Sequence, residues 1–292
     1  GYRGYMHSLE YAKDRLQGRK ASEKNPESPQ VPIIDHADVR RMLLAQKAYS
    51  EGGLALCLYG ARLMDDQHTH PDEQKRMEAG KLLDLLTPVI KAWPSEYGPK
   101  ANDLAIQVYG GAGYTREYPV EQCWRDNRLN PIHEGTNGIQ ALDLLGRKIW
   151  QDQSHGLQLL MQEMQTDLQA ATTDRCQQWA LSLSETLQQA VKVTQSLGKS
   201  LMGGEVDKTL ANASCYLHLF GHIIVAWMWL RQANAAANAL ASANSDSERN
   251  FYQGKLQAAQ YFFHWELPTV AQDLVLLRNQ DDTCLNMKAD WF

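Results

Sequence analysis

Apolar residues recur every three or four positions along most of this chain, which is the spacing of one buried face of an α-helix. The second half shows the pattern most clearly, at Leu157, Leu160, Met161, Met164 and Leu168, and again at Leu183, Leu187, Val191, Leu197 and Leu201. The same spacing predicts helices over about 3–16, 36–68, 72–92, 96–109, 137–150, 207–242 and 247–278. Short alternating β-branched runs bounded by turns, which are typical of strands, are missing. The sequence therefore predicts an all-α protein.

Polar stretches divide this helical pattern. Residues 18–35 are rich in proline, serine and charge, and a second loop leads into Glu134. The polar hexapeptide QDQSHG spans 151–156, and the glycine pair at 203–204 is expected to end a helix. These features predict a helical bundle of four to five helices over residues 1–150, followed by a second helical extension over 151–292.

Charge and composition limit the partners that are expected. The 292 residues carry a formal net charge of −5 with no cluster of Lys and Arg, so we expect no nucleic-acid partner. The apolar run at 219–230 is shorter than the roughly 20 residues of a membrane span, so we expect a buried core helix and no membrane span. The five cysteines are odd in number and far apart, which favours reduced thiols in a cytoplasmic protein.

One group of side chains has the spacing of a metal site. Cys215, His218 and His222 lie three and four residues apart, on one face of a predicted helix. A fourth ligand is not evident, and the neighbours Leu217 and Leu219 are apolar. The sequence therefore favours a core histidine, and no metal is predicted.

Glu134 is the most informative carboxylate, because it lies between an apolar lead-in and a Gly-Thr pair that precedes a helical pattern. Pro131 and Ile132 would desolvate it and so raise its pKa towards that of a general base. Gly135 leaves room for a ligand near the backbone. Two simpler interpretations stay open: Glu134 as an exposed loop carboxylate, and Thr136 as the N-cap of the next helix. Likewise, the glycines at 110, 111 and 113 fit an ordinary helix end.

The stretch QVYGGAGYTREYPVEQCWRD, followed by IHEGTNGIQ, resembles the C-terminal helical domain of the acyl-CoA dehydrogenase flavoenzymes. The shared elements are a Gln-x-x-Gly-Gly-x-Gly loop, a Glu-Tyr-Pro-Val-Glu turn, an Arg-Asp pair and a Glu-Gly-Thr before the last helix, in the same order and spacing. The resemblance extends through YAKDRLQGRK and VPIIDHADVRRMLLAQKAYSEG, and so covers about residues 1–150. The second half, through YFFHWELPTVAQDL, is similar to the extra C-terminal region of a larger bacterial-type subgroup that includes 3-methylmercaptopropionyl-CoA dehydrogenase.

The resemblance implies FAD-dependent α,β-dehydrogenation of an acyl-CoA thioester. Glu134 matches the base that removes the α-proton, while the flavin accepts the β-hydrogen as hydride. Gly135, beside the base, is expected at the substrate. The positions that match cofactor contacts of the family are Arg15, His36, Gln107, Val108, Tyr109, Gly110, Gly111, Thr136, Asn137 and Gly138.

Partners also follow from the resemblance. They are the acyl-CoA substrate, an electron-transferring flavoprotein as acceptor, and further copies of the chain in a homodimer or a dimer of dimers, since the Gln107 loop should reach a neighbour's cofactor. The sequence departs from the family pattern in three places: no Phe-Gly pair follows Arg15, Ala37 follows His36, and His133 precedes the base where Tyr is common.

Nothing in the chain matches the N-terminal helical domain and the β-domain of the family. We therefore expect this chain to be the C-terminal part of a longer enzyme, one that alone binds flavin poorly and does not turn over. An acyl-CoA oxidase with the same base remains an alternative, as does a helical scaffold that binds partners. The presence of Glu134 argues against the scaffold, which has no need of that carboxylate.

Overall fold

The computed structural model describes residues Gly1–Phe292 and is built almost entirely of helices. The one β-type pairing is an isolated bridge between Leu16 and Pro32. The prediction of an all-α fold is therefore confirmed. The α-helices are α1 (Tyr2–Asp14), α2 (Ala37–Thr69), α3 (Glu73–Tyr109), α4 (Val120–Asn127), α5 (Asn137–Gly146), α6 (Gln151–Gln169), α7 (Asp174–Met202), α8 (Val206–Leu210), α9 (Ala213–Leu240), α10 (Asp246–Tyr261), α11 (Ala271–Asn279) and α12 (Thr283–Asn286).

Helix α3 differs from the sequence prediction, which broke it between residues 92 and 96. The helix continues through Pro94, although proline removes one backbone donor and crowds the carbonyl four residues earlier. Buried side chains on both sides of this position, including Val89, Trp93 and Tyr97, offset that local cost. Burial of the apolar face thus overrides the intrinsic preference of proline.

The predicted helices at 207–242 and 247–278 are each divided in the structure. The first becomes α8 and α9, which are separated at Ala211 and Asn212. The second is interrupted between α10 and α11 by a π-turn (Phe262–Glu266) and a 3-10 turn (Leu267–Val270). Pro268 lies at the start of the 3-10 turn, where the missing N–H of proline costs least. The predicted helix end at Gly203 and Gly204 is confirmed, and Gly204 has φ +87°.

The chain divides into two compact units. The first consists of Gly1–Leu54 with Pro94–His133, and the second of Ala55–Trp93 with Glu134–Phe292. The sequence boundary at 150/151 stays a prediction. At that point the backbone leaves the helical region for three residues, since Asp152, Gln153 and Ser154 have φ values of 47°, 56° and 63°.

The first unit has an apolar core to which α1, the 3-10 turn Ile33–Asp35, α2 and α3 contribute. Its members are Tyr5, Ala12, Ile33, Met42, Leu43 and Val108. Beside this core, the ring of Tyr11 stacks on that of Tyr109 with centroids 4.0 Å apart. The predicted loop at 18–35 closes on itself, because Gln17 N donates to Val31 O at 3.0 Å and Val31 N donates to Gly18 O at 3.1 Å.

Helix α9 forms the core of the second unit. All twelve residues from Leu219 to Leu230 are buried, and α5, α7, α10 and α11 pack against the helix. By length and composition α9 is apolar enough to cross a membrane, but 83% of its most apolar window is buried inside the fold. The prediction of a buried core helix for this run is therefore confirmed.

Three polar side chains of the second unit donate to carboxylates where they enter the core. Trp227 Nε1 donates to Asp167 Oδ2 at 2.7 Å, and the Arg231 guanidinium lies 3.4 Å from the same carboxylate oxygen. The hydroxyl of Tyr59 donates to Glu163 Oε2 at 2.5 Å. Each donor thereby keeps the hydrogen bond that it would otherwise lose on leaving water.

Replacing Ile224 of α9 with alanine tests how much this core contributes to stability. The side chain is fully buried, so Ile224→Ala is expected to lower the free energy of unfolding by about 2–5 kcal/mol. Leu181→Ala on α7 is the control, because Leu181 is 61% exposed and its truncation should change stability by no more than about 0.5 kcal/mol. Urea denaturation followed by tryptophan fluorescence measures both. Equal losses would contradict the assignment of α9 as the core helix.

Candidate active site

Helix α5 begins directly after the loop that carries Glu134. Thr136 is its N-cap, and the Thr136 Oγ1 accepts a hydrogen bond from Ile139 N at 3.3 Å. The N-cap interpretation of Thr136 is therefore confirmed. The inward face of α5 is anchored by three fully buried side chains, those of Ala141, Leu144 and Leu145. The amino end of α5 thus has a defined position in the second unit.

The backbone turns sharply at Glu134 and Gly135. Glu134 has φ +50° and Gly135 has φ +86°. A left-handed conformation costs a residue with a side chain about 1–2 kcal/mol, and such local costs cluster at functional sites. A Cβ at Gly135 would lie 2.8 Å from Gln140 Nε2, so glycine suits this position on both counts. The turn directs the chain into α5 and places the Glu134 carboxylate just before the helix.

Lys91 of α3 holds this turn, and the sequence alone did not reveal it. Its Nζ donates to the carbonyl oxygen of Gly135 at 2.6 Å, across 44 residues of sequence. A hydrogen bond from a charged donor contributes about 1.5–3 kcal/mol. The only local signal was a single lysine inside the apolar run TPVIKAW, since a cation among core residues is usually paired.

A second contact joins α3 to the segment that follows α5. The buried ammonium of Lys148 pairs with the carboxylate of Asp84, seven residues before Lys91 on α3. Seven residues correspond to about 10 Å along a helix axis. The segment that contains α5 is therefore tied to α3 on both sides of the helix.

The apolar flank expected to desolvate Glu134 does not bury it. Glu134 is exposed, and Ile132 is 53% exposed. The expectation of desolvation by Pro131 and Ile132 is therefore wrong for the residues of this chain, because a side chain that itself faces solvent cannot exclude water from its neighbour. On α5, Ile139 and Leu142 are 56% and 44% exposed, so apolar side chains accompany the carboxylate on the surface of the second unit.

The other loop residues predicted to contact a cofactor lie at the amino end of α5. Asn137 is the first residue of the helix, and Gly138 follows, where an added Cβ would lie 3.8 Å from Thr136 Oγ1. The first N–H groups of a helix lack partners within it and attract acceptors and anions. Thr136, Asn137 and Gly138 therefore present both side-chain and backbone donors at one place.

In the first unit, residues 107–111 form the end of α3 and the start of a 3-10 turn. Gly110 has φ +61°, which ends the α-helix as the glycine pattern predicts. The side chains of Val108 and Tyr109 are buried, whereas Gln107 is exposed. A Cβ at Gly110 or Gly111 would meet no atom within 4 Å. The segment therefore offers a ligand the Gln107 side chain and its peptide groups.

Arg15 and His36 lie together at the base of the 18–35 loop, also in the first unit. Arg15 ends α1, and its carbonyl oxygen accepts a hydrogen bond from Ile33 N at 2.8 Å. A ring nitrogen of His36, Nε2, lies 2.8 Å from Gln17 O. His36 therefore supports the loop structurally, while the Arg15 side chain is exposed.

Cys215, His218 and His222 make contacts within the second unit. His218 Nδ1 lies 2.5 Å from Asp273 Oδ2, and His222 Nδ1 lies 3.1 Å from the carbonyl oxygen of His218. Burial raises the pKa of the Cys215 thiol, and the negative charge of Asp273 raises it further. No group of three or more His, Cys, Asp or Glu residues is placed to hold a metal ion.

Two family models match this chain. The model described as acyl-CoA dehydrogenase, C-terminal domain, matches residues 3–150, and the one described as acetyl-CoA dehydrogenase C-terminal like matches residues 160–288. The chain belongs to the acyl-CoA dehydrogenase family, as the Glu-Gly-Thr and glycine-loop motifs predicted.

Among curated relatives, the chain is similar to the broad-specificity linear acyl-CoA dehydrogenase FadE5 of Mycobacterium tuberculosis, with 32% identity over 97% of this chain and 48% of the relative. It is also 32% identical to the 3-methylmercaptopropionyl-CoA dehydrogenase of Ruegeria pomeroyi, over 89% of this chain and 43% of that protein. The chain thus spans about half the length of these relatives.

Solved structures share the fold. The Caenorhabditis elegans protein ACDH-11, crystallised with C11-CoA, matches with a TM-score of 0.71 over 94% of this chain and 44% of its own length, at 17% identity. An acyl-CoA dehydrogenase from Bacillus anthracis, crystallised with FAD, matches with a TM-score of 0.67 over 97% of this chain and 46% of its own, also at 17% identity. Both helical regions therefore have counterparts in known structures.

The two glycines at the end of α3 provide a matched pair for mutation. Gly110→Ala is expected to lower the free energy of unfolding by about 1–2 kcal/mol, because alanine is strained at φ +61°. Gly111→Ala, where the added methyl group also meets open space, should change it by no more than about 0.5 kcal/mol. Urea denaturation measures the difference. Equal effects would show that the left-handed backbone at Gly110 is not what requires glycine there.

Proposed function

We propose that the protein containing this chain is an FAD-dependent acyl-CoA dehydrogenase in which Glu134 removes the α-proton of an acyl-CoA thioester. The observation that carries the proposal is the placement of Glu134. Its carboxylate is accessible, and its left-handed backbone directly precedes the Lys91 contact at Gly135 and the Thr136 cap. A defined backbone is what a base needs if it is to meet one proton of a bound substrate.

The residues present fit a flavin dinucleotide. In the second unit, the amino end of α5 offers donors at Thr136, Asn137 and Gly138. In the first unit, the exposed Gln107 and the open peptide groups at Gly110 and Gly111 offer contacts to a polar ligand. The Arg15 guanidinium has the geometry to bind phosphate oxygens. When bound, FAD supplies the acceptor for the β-hydrogen, which leaves as hydride.

The contribution of this chain to the reaction is proton transfer and positioning. An α-proton next to a thioester is too weakly acidic for a carboxylate in water, so the site must exclude solvent and stabilise charge that develops on the thioester oxygen. Glu134 accepts the proton at its carboxylate, and its backbone N–H donates to that oxygen. The exposed Ile139 and Leu142 suit an apolar covering of this region, formed by substrate or by other parts of the protein.

We further propose that electrons pass to an electron-transferring flavoprotein and that the protein is a homodimer or a dimer of dimers. The open loop at 107–111 supports the second point, since it is available to a neighbouring subunit's cofactor. All five cysteines are free thiols, which supports a cytoplasmic location. Gel filtration with light scattering tests the oligomer, and reduction of a purified electron-transferring flavoprotein tests the acceptor.

Replacing Glu134 with glutamine in the full-length protein tests the assigned base. The wild-type flavin should lose its absorbance under anaerobic conditions with at least one member of a panel of linear acyl-CoAs and 3-methylmercaptopropionyl-CoA. Glu134→Gln should bind flavin and acyl-CoA normally but bleach at least about 1000-fold more slowly, because the amide cannot accept the proton. Glu185→Gln, at an exposed position on α7, is the matched control and should bleach like the wild type.

Bleaching of Glu134→Gln at the wild-type rate would refute Glu134 as the base. Failure of the full-length protein to bind flavin would refute the flavoenzyme itself and favour a helical scaffold. Oxygen consumption that keeps pace with acyl-CoA oxidation would instead indicate an acyl-CoA oxidase, which shares the base and differs in its electron acceptor.

A further inference from the structure

We infer that Lys91 is a positioning residue for the reaction, acting through the Gly135 carbonyl rather than by touching the substrate. This inference rests on the proposed function, since it assigns a role to a residue that supports the base. Its starting point is the hydrogen bond of 2.6 Å from Lys91 Nζ to Gly135 O, which reaches from α3 to the residue directly after Glu134.

Within the Glu134–Gly135 turn, Gly135 has the greater backbone conformational freedom. Glycine adopts positive and negative φ almost equally well, so its φ of +86° is not maintained by its own preference. The bond from Lys91 fixes the peptide group between Gly135 and Thr136. The Thr136 cap then holds the first residues of α5 in place. Without Lys91, the Gly135 carbonyl would lose its hydrogen bond to α3.

Helix stability does not explain a lysine at this place. The amino end of a helix carries a partial positive charge, and a nearby cation is unfavourable there. Lys91 nevertheless places its ammonium against the residue that precedes the N-cap of α5. Lys91 is half-buried, and its ammonium can only donate hydrogen bonds. A specific hydrogen-bond acceptor offsets the unfavourable field of the helix end. One acceptor of Lys91 is the carbonyl of Gly135, the residue directly after Glu134.

The distant contact of Lys148 with Asp84 makes this role specific to the turn. It already ties the segment following α5 to α3, so the body of the helix keeps its place when Lys91 is removed. Removal of Lys91 should therefore loosen only residues 134–136. A small displacement of a reacting group lowers the rate of the chemical step while leaving substrate binding largely intact.

Lys91→Met in the full-length protein removes the donor and keeps an unbranched apolar stem. We expect kcat and the rate of flavin reduction to fall by about tenfold or more, with KM changed by no more than about twofold and with flavin content near wild type. Amide hydrogen exchange of a peptide covering 134–140 should become faster. Lys91→Arg, which keeps a charged donor, should restore slow exchange and most of the rate.

Lys81→Met is the matched control, because Lys81 is on the same helix and its ammonium pairs with the exposed Asp152. It should leave both exchange at 134–140 and kcat at wild-type values. Unchanged exchange in Lys91→Met would overturn the claim that the Lys91–Gly135 hydrogen bond orders this turn. Faster exchange with unchanged kcat, or a loss of activity that merely follows loss of flavin or of folded protein, would reduce Lys91 to a structural residue and overturn its positioning role.

The exchange measurement separates this inference from the proposed function. Exchange at 134–140 reports on the Lys91–Gly135 hydrogen bond whether or not Glu134 is the base. Retained activity in Glu134→Gln together with faster exchange in Lys91→Met would refute the assigned base alone. Loss of activity in Glu134→Gln with neither effect in Lys91→Met would refute the positioning role alone.

Discussion

The second unit depends on the burial of α9. A helix whose residues are buried from Leu219 to Leu230 on every face must be surrounded, and α5, α7, α10 and α11 supply the surrounding surfaces. Helix α5 is one of them, so the segment that carries Glu134 is attached to the most deeply buried part of that unit. The Glu134–Gly135 turn is an irregular stretch of backbone, and the packing of α5 against α9 gives it a fixed attachment.

Polar contacts determine how α5 is oriented on the apolar surface of α9. Burial is non-directional and does not by itself define where α5 begins or how its flanking segments run. The Thr136 cap defines where the helix begins, while Lys91 and Lys148 connect its two flanks to α3. Trp227 and Asp167 show the same division of labour deeper in the unit, where a large apolar ring is oriented by one hydrogen bond. Apolar packing thus provides stability, and a small number of hydrogen bonds provide orientation.

Features with a local cause could be predicted from the sequence. Thr136 as a cap and Gly110 and Gly204 as left-handed residues depend on one or two side chains and their own backbone, so they are evident in a short window. Features with a tertiary cause could not. The continuity of α3 through Pro94 reflects burial on both sides, and the Lys91 contact joins residues 44 positions apart. The solvent exposure of Ile132 was missed because apolar character in a sequence does not tell which surface will cover it.

The segment at 107–111 has a consequence for how substitutions there are interpreted. Val108 and Tyr109 point into the first unit, and Gly110 is held by its backbone angle. Any molecule that docks on this stretch meets mostly main-chain atoms, which are identical in all amino acids. Variation at 108 and 109 will therefore register as altered folding, even if the docked molecule is essential. A survey of mutants scored by activity would rank these positions highly, and yet its ranking would measure the packing of an interior and not the chemistry of recognition.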